Sequence, residues 1–251
     1  VFHLLAWGDW LYLRPRQDGC IRAVRPLPGV PAQDNLCVRA ATLLRATAGQ
    51  AHWGADIYLR KQIPLGGGLG GGSSDAATVL LGLNRLWGLN YDLPTLAQLG
   101  LQLGADVPVF IGGRSAWAEG VGEVLTPIIL PAHWYLLITP PCTVATATIF
   151  RDPELTRNAP RRTIAAFFTG DCVNLCTPVV RKHAPIVAQV MDTLDRYAPA
   201  RLTGTGASVF ATFVRQAEAQ AVQAQLPATW RSQVVQGVSR SCLHTQLGYE
   251  A

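Results

Sequence analysis

Pro64-Leu65-Gly66-Gly67-Gly68-Leu69-Gly70-Gly71-Gly72-Ser73-Ser74-Asp75-Ala76-Ala77 is the stretch on which the reading of this chain turns. Six of the seven residues from Gly66 to Gly72 are glycine. Such a loop carries almost no side chains, so its backbone can approach a ligand closely. Directly after it, residues 76–87 (AATVLLGLNRLW) read as a helix, with Ala76, Leu80, Leu83 and Trp87 on one face and Asn84 and Arg85 off it. A helix N-terminus presents unpaired N–H groups and a partial positive charge. Ser73 or Ser74 is the expected N-cap, and Asp75 is expected to complement the dipole from the first turn. Before the loop, residues 55–60 (ADIYLR) alternate apolar and polar like a strand. A flexible Gly-rich linker has no such flanks. Strand, glycine loop and capped helix together make an anion site, and phosphate is the usual anion.

Composition agrees with a folded, nucleotide-sized task. The 251 residues suffice for one large or two modest domains. Apolar residues make up 49% of the chain and charged ones 15%, which supports a real core and argues against disorder. No apolar run approaches the roughly 20 residues of a membrane span. The first residues, VFHLLAWGD, lack the basic region and cleavage site of a signal peptide. The net charge of +5 is scattered, with Arg161-Arg162 and Arg181-Lys182 the densest pairs. Nucleic-acid binding wants a basic stripe, so the expected partner is a small anion such as a nucleotide, with neither nucleic acid nor membrane. The six cysteines are dispersed. Cys172 and Cys176 could share a helix face with His183 downstream, but metal binding would need further ligands, so the cysteines read as reduced packing residues in a cytoplasmic protein and no metal ligand is assigned.

No repeat interrupts the chain. Short strands are expected at 10–14, 20–25, 55–60, 115–118, 123–126, 134–138, 208–214 and 232–238. Helices are expected at 34–48, 76–87, 93–103, 185–197 and 216–226. This interleaving lacks βαβ regularity and indicates an α+β fold. The proline-bearing segment 125–131 (LTPIILP) marks a crossing between domains spanning 1–130 and 131–251.

Two further segments stand out. In 103–110 (LGADVPVF), Asp106 is one carboxylate among apolar neighbours; its spacing alone suits a cap or turn. In 202–208 (LTGTGAS), Gly204-Thr205-Gly206 is, by itself, an ordinary glycine turn.

The glycine loop is no Walker A loop, since no lysine closes it, and a dinucleotide-binding fingerprint threads through so many glycines by chance. Its ending instead resembles the second motif of the GHMP kinases, Pro-x-x-x-Gly-Leu-Gly-Ser-Ser-Ala. Together with 104–110 (GADVPVF) and 118–125 (AEGVGEVL), it is most similar to the branch that phosphorylates a cytidine diphosphate derivative of methylerythritol in isoprenoid synthesis. The resemblance implies two α+β lobes with the active site in the cleft between them, and a small-molecule kinase using ATP with Mg2+, acting as a monomer or weak dimer. It implies that residues 64–75 hold the ATP phosphates and that Asp106 takes the proton of the attacking hydroxyl. A carboxylate in a largely apolar setting is a competent base. Gly204, Thr205 and Gly206 would form a second wall folded onto the phosphate loop. Asn35 and Lys61 would lie on the adenine side, with a helix cap the rival reading for Asn35. Phe2, Thr146 and Phe150 would line the cytidine pocket, with core packing the rival for both phenylalanines. The family's Pro-Ala-Lys-x-Asn-Leu-x-Leu motif and Asp-Gly-Tyr-His segment would precede Val1. Another GHMP small-molecule kinase, or a nucleotide-binding protein without turnover, is the alternative.

Overall fold

A computed structural model describes residues 1–120, 122–170 and 172–249. Val121, within the 118–125 segment, lies outside them. The chain forms two compact units, with one division at Leu130/Pro131. Two exchanges depart from a simple division into halves: Pro64–Leu69 groups with the second unit, and the chain from Val238 onward groups with the first.

The first unit contains β1 (Leu4–Leu5), β2 (Trp10–Arg16), β3 (Ile21–Ala23), α1 (Leu36–Ala48), β4 (Gly54–Arg60), α2 (Gly71–Leu86), α3 (Leu93–Leu101), α4 (Val107–Gly112), β5 (Ala116–Glu119) and β6 (Val124–Pro127). Strand β4 lies between β2, antiparallel with Trp10 opposite Arg60, and β3, parallel with Ile21 opposite Ala55. Alternation along β2 turns Leu11 and Leu13 toward the core and leaves Trp10 and Tyr12 exposed. On the outer face, buried Asp56 ties the three strands together by accepting from Arg14 (2.5 Å), Arg22 (2.8 Å) and Arg16 (3.2 Å). The inner face buries Ala55 and Ile57 with Ala40, Ala41 and Leu44 of α1 and Val79, Leu80 and Leu83 of α2. The apolar face read from the sequence is therefore the face that packs.

The second unit contains β7 (Trp134–Thr139), α5 (Thr146–Arg151), α6 (Ile164–Phe168), α7 (Thr177–His183), α8 (Pro185–Leu194), β8 (Arg201–Leu202), β9 (Val209–Phe213), α9 (Gln216–Gln223) and β10 (Arg231–Val238). Its strands run β10-β7-β9-β8, all antiparallel neighbours. Leu136, Ile138, Val209 and Ala211 form one core with Val187, Val190 and Leu194 of α8 and Ala219 and Val222 of α9. A last helix, α10 (Cys242–Leu247), returns to the first unit, where the Asn84 amide donates to the Tyr249 hydroxyl at 3.1 Å. No helix among the described residues is long and apolar enough to cross a membrane.

Three sequence expectations are corrected. Helix α2 begins at Gly71, not Ala76, with Gly70 as N-cap in the left-handed region and no side chain capping it. Ser73 and Ser74 thus sit inside the first turn, and Asp75 lies buried in the second. Glycine is a poor helix former, but a Cβ on Gly71 would stand 2.8 Å from Ile63 Cγ2, so close packing decides the start. Helix α1 starts at Leu36, after a 3₁₀ turn at Ala32–Asp34. Cys172 and Cys176 share no helix face, since Cys172 precedes α7 and Cys176 is its N-cap residue. Short helices α4 to α7 carry too few residues for a periodic signal.

Candidate active site

The first half of the glycine loop is held by the turn that follows β8. Thr203 Oγ1 donates to the Gly68 carbonyl at 2.7 Å, and the Ser208 N–H donates to the Gly67 carbonyl at 3.1 Å. The turn is itself closed by Thr203 N–H to the Ser208 carbonyl (3.1 Å). Asn174 Nδ2 braces it by donating to the carbonyls of Leu202 (3.0 Å) and Gly204 (2.7 Å). Ser208 Oγ pairs with Thr139 Oγ1 at 2.8 Å, and Thr205 Oγ1 pairs with Thr146 Oγ1 at 2.9 Å. Residues 64–69, the 202–208 turn and Thr146 therefore form one hydrogen-bonded assembly within the second unit.

The second half becomes the mouth of α2. The first bond of its helical ladder runs from the Ser74 N–H to the Gly70 carbonyl at 2.9 Å. Helical geometry leaves the N–H groups of Gly71, Gly72 and Ser73 without an intrahelical acceptor. No side chain shields them at positions 70–72, and the helix dipole makes this point positive. Gly70 also admits the ring of Phe110 from α4, since a Cβ there would be 2.9 Å from Phe110 Cζ. A helix mouth of this kind is suited to an anion such as phosphate.

Beside the mouth lies a buried cluster of three charges. Lys61 Nζ donates to Asp75 Oδ2 at 2.8 Å and to Asp9 Oδ2. The other Asp9 oxygen accepts from the N–H groups of Gln62 (2.5 Å) and Ile63 (2.9 Å). Side chains of Asp9 and Asp75 are only 2% and 5% exposed. Lys61 is thus engaged by two carboxylates, whatever else it meets. Burial pushes Asp75 up to about 7, against the pull of Lys61 and with the help of the Asp9 charge, while the two carboxylates raise Lys61. An ordinary carboxyl titrates at 3.8, so between that value and about 7 the folded protein holds a proton that the unfolded chain has released. Stability contributed by this group therefore falls as pH rises through that window. Asp75→Asn is expected to be more stable than wild type at pH 8, on the order of 1–3 kcal/mol, with the margin narrowing as pH falls below about 7 and closing only near pH 4. Thermal unfolding of both proteins across that range checks it; a margin independent of pH would refute it.

Asp106 occupies the N-cap position of α4 without capping it: its side chain makes no cap hydrogen bond to the helix. Among the described residues no cation or donor contacts its carboxylate. Partial burial raises its pKa above the ordinary range. A half-buried carboxylate that is neither a cap nor an ion-pair partner is free to receive a proton. Among the described residues no group of three or more His, Cys, Asp or Glu side chains converges as a metal site.

The remaining expected site residues are placed as follows. Asn35 is buried and is the N-cap of α1, with Oδ1 accepting from the Cys37 N–H at 2.9 Å. Thr146 opens α5, and Phe150 near its end is 56% exposed, so Phe150 is not a core residue. Phe2 is half-buried and exchanges backbone bonds with Ala116 (2.8 and 3.0 Å). Asp9 escaped the sequence reading altogether. It is 52 residues from Lys61, and a lone carboxylate at a strand approach carries no local signal. Asn174 escaped for the same reason. Thr203 and Ser208 flank the Gly204-Thr205-Gly206 turn and lay within the quoted segment.

Comparison with known proteins adds a family frame. Residues 35–114 match the GHMP kinases N terminal domain, and residues 157–232 match the GHMP kinases C terminal domain. A protein of Nitrosococcus oceani named 4-diphosphocytidyl-2-C-methyl-D-erythritol kinase is 49% identical over 97% of this chain and 86% of its own length. One of Alkalilimnicola ehrlichii with the same name is 53% identical over 97% of this chain and 83% of its own. A crystal structure of 4-(cytidine 5'-diphospho)-2C-methyl-D-erythritol kinase superposes with a TM-score of 0.79 at 32% identity, covering 93% of this chain and 88% of that one.

Proposed function

Because the chain belongs to the GHMP kinases and, within them, to the 4-diphosphocytidyl-2-C-methyl-D-erythritol kinases, we propose that it transfers the γ-phosphoryl group of ATP to the 2-hydroxyl of 4-diphosphocytidyl-2-C-methyl-D-erythritol, a step in non-mevalonate isoprenoid synthesis. The observation that carries this reading is the mouth of α2, where the N–H groups of Gly71, Gly72 and Ser73 have neither an intrahelical acceptor nor a side-chain cap and follow a loop of glycines. These N–H groups would donate to phosphate oxygens, and the rest of residues 64–75 would cradle the ATP phosphates with Gly204, Thr205 and Gly206 as a second wall. Asn35 and Lys61 would lie toward the adenine; Phe2, Thr146 and Phe150 would contact the cytidine end of the acceptor.

The acceptor oxygen attacks the γ-phosphorus as the bond from that phosphorus to the β–γ bridging oxygen breaks, so that ADP leaves. Asp106 receives the hydroxyl proton. Positioning and charge neutralisation supply most of such catalysis. Magnesium would enter with the nucleotide, held mainly by phosphate oxygens and water; no step above depends on a protein ligand to it.

The test is ADP release by the purified protein with three acceptors supplied separately: the cytidyl alcohol, mevalonate and homoserine. Turnover with the first alone is expected. Turnover with mevalonate or homoserine instead would assign the protein to another GHMP activity, and ATP binding without turnover on any acceptor would leave a nucleotide-binding protein.

A further inference from the structure

Asp9 lies outside every motif that assigned the site, yet it accepts from three successive residues just before the glycine loop, Lys61, Gln62 and Ile63. One of its oxygens accepts from two successive backbone N–H groups, Gln62 and Ile63, and the other holds the Lys61 ammonium. That ammonium reaches on to Asp75 in the second turn of α2 and lies 3.2 Å from where a Gly71 Cβ would stand. A single buried carboxylate thus joins the exit of β4 to the mouth of α2. Charge-assisted bonds of this kind are about twice as strong as neutral ones and fix direction as well as distance.

We propose that Asp9 is a positioning residue for the nucleotide: through Lys61 and the amides of Gln62 and Ile63, it sets the angle at which the glycine loop enters α2. This inference rests on the phosphate-binding reading of that loop. It goes beyond it by assigning nucleotide affinity to a side chain outside the glycine loop, through its bonds to Lys61, Gln62 and Ile63. Linkage makes the coupling reciprocal: if the Asp9 clasp favours ATP binding, bound ATP must tighten the clasp. A carboxylate with a merely structural role would behave differently. Its loss would lower the fraction of folded protein, and hence kcat, while leaving the KM for ATP alone.

The test variant is Asp9→Asn, which keeps the shape and removes the charge. The KM for ATP, and its Kd by calorimetry, are expected to rise about tenfold to a hundredfold, while kcat and the KM for the acceptor alcohol change less than about threefold. An unchanged Kd for ATP, or a loss confined to kcat, would overturn the inference. Amide hydrogen exchange of wild type gives a second reading that needs no variant to fold. The Gln62 and Ile63 amides are expected to exchange slowly without nucleotide and at least about tenfold more slowly with saturating ATP. Protection that ATP leaves unchanged would overturn the inference. Wild type that binds no ATP would refute the proposed function itself, which separates the two failures.

Discussion

Asp106→Asn is expected to slow phosphoryl transfer by about 10²–10⁴-fold while leaving ATP binding intact. The carboxylate is partly buried and makes no cap bond, and among the described residues its removal breaks no ion pair or hydrogen bond. Folding stability should therefore be unchanged or slightly raised, because the partly buried charge disappears with no partner left behind. Catalysis should suffer: asparagine cannot take the acceptor proton, and general-base catalysis typically contributes about 10²–10⁴-fold. The expected kcat is lower by that factor, with the Kd for ATP within about twofold of wild type. Single-turnover transfer and equilibrium titration of the same preparation measure both quantities. Retention of kcat within tenfold would remove Asp106 from the chemistry.

The second large effect is expected at Gly68, where two demands coincide. Its φ of 71° is left-handed, and a Cβ would stand 2.5 Å from the Thr203 carbonyl oxygen and 2.8 Å from that of Gly206. Gly68→Ala must therefore adopt an unfavourable backbone region and push apart the glycine loop and the 202–208 turn. The two penalties together amount to about 2–5 kcal/mol. Loosening the turn also removes the Thr203 hydroxyl from the Gly68 carbonyl, so the loop loses the bond that shapes it. Affinity for ATP should fall at least about tenfold, since preorganised donors lose much of their worth when displaced. Gly66→Ala supplies the comparison. Gly66 shares the left-handed φ of 67°, but its Cβ would meet only Thr143 Cγ2, at an ordinary 3.7 Å. It should show the backbone penalty alone, about 1–2 kcal/mol. Equal losses at the two positions would show that the approach of the 202–208 turn is immaterial.

The α+β class and the approximate place of most strands and long helices were legible because each rests on local periodicity. Leu80 and Leu83 recur at helical spacing and pack; Leu11 and Leu13 alternate with Trp10 and Tyr12 and do the same in a strand. The start of α2 was misread because propensity is weak there, and close approach by Ile63 and Phe110 selects glycine at positions where a side chain would clash. Asn35 shows the limit from the other side. Its cap was a stated rival to its ligand role, and the observed cap bond engages Oδ1 without deciding what else the amide meets.

Taken by itself, the amino-acid sequence determined that a glycine loop precedes a helix, an arrangement suited to an anion. That is a property of residue order, read over a few neighbours at a time, whereas Asp106 and the Gly204-Thr205-Gly206 turn were joined to the loop only by what the family resemblance implies. Only the tertiary structure decided that Gly70 caps the helix, that Thr203 and Ser208 hold the loop by its carbonyls, and that Asp9 clasps Lys61 and two amides. The physical reason is range. Hydrophobic period and turn chemistry act between near neighbours, whereas a buried carboxylate takes its partners from wherever the fold delivers a donor, in this case 52 to 54 residues along the chain.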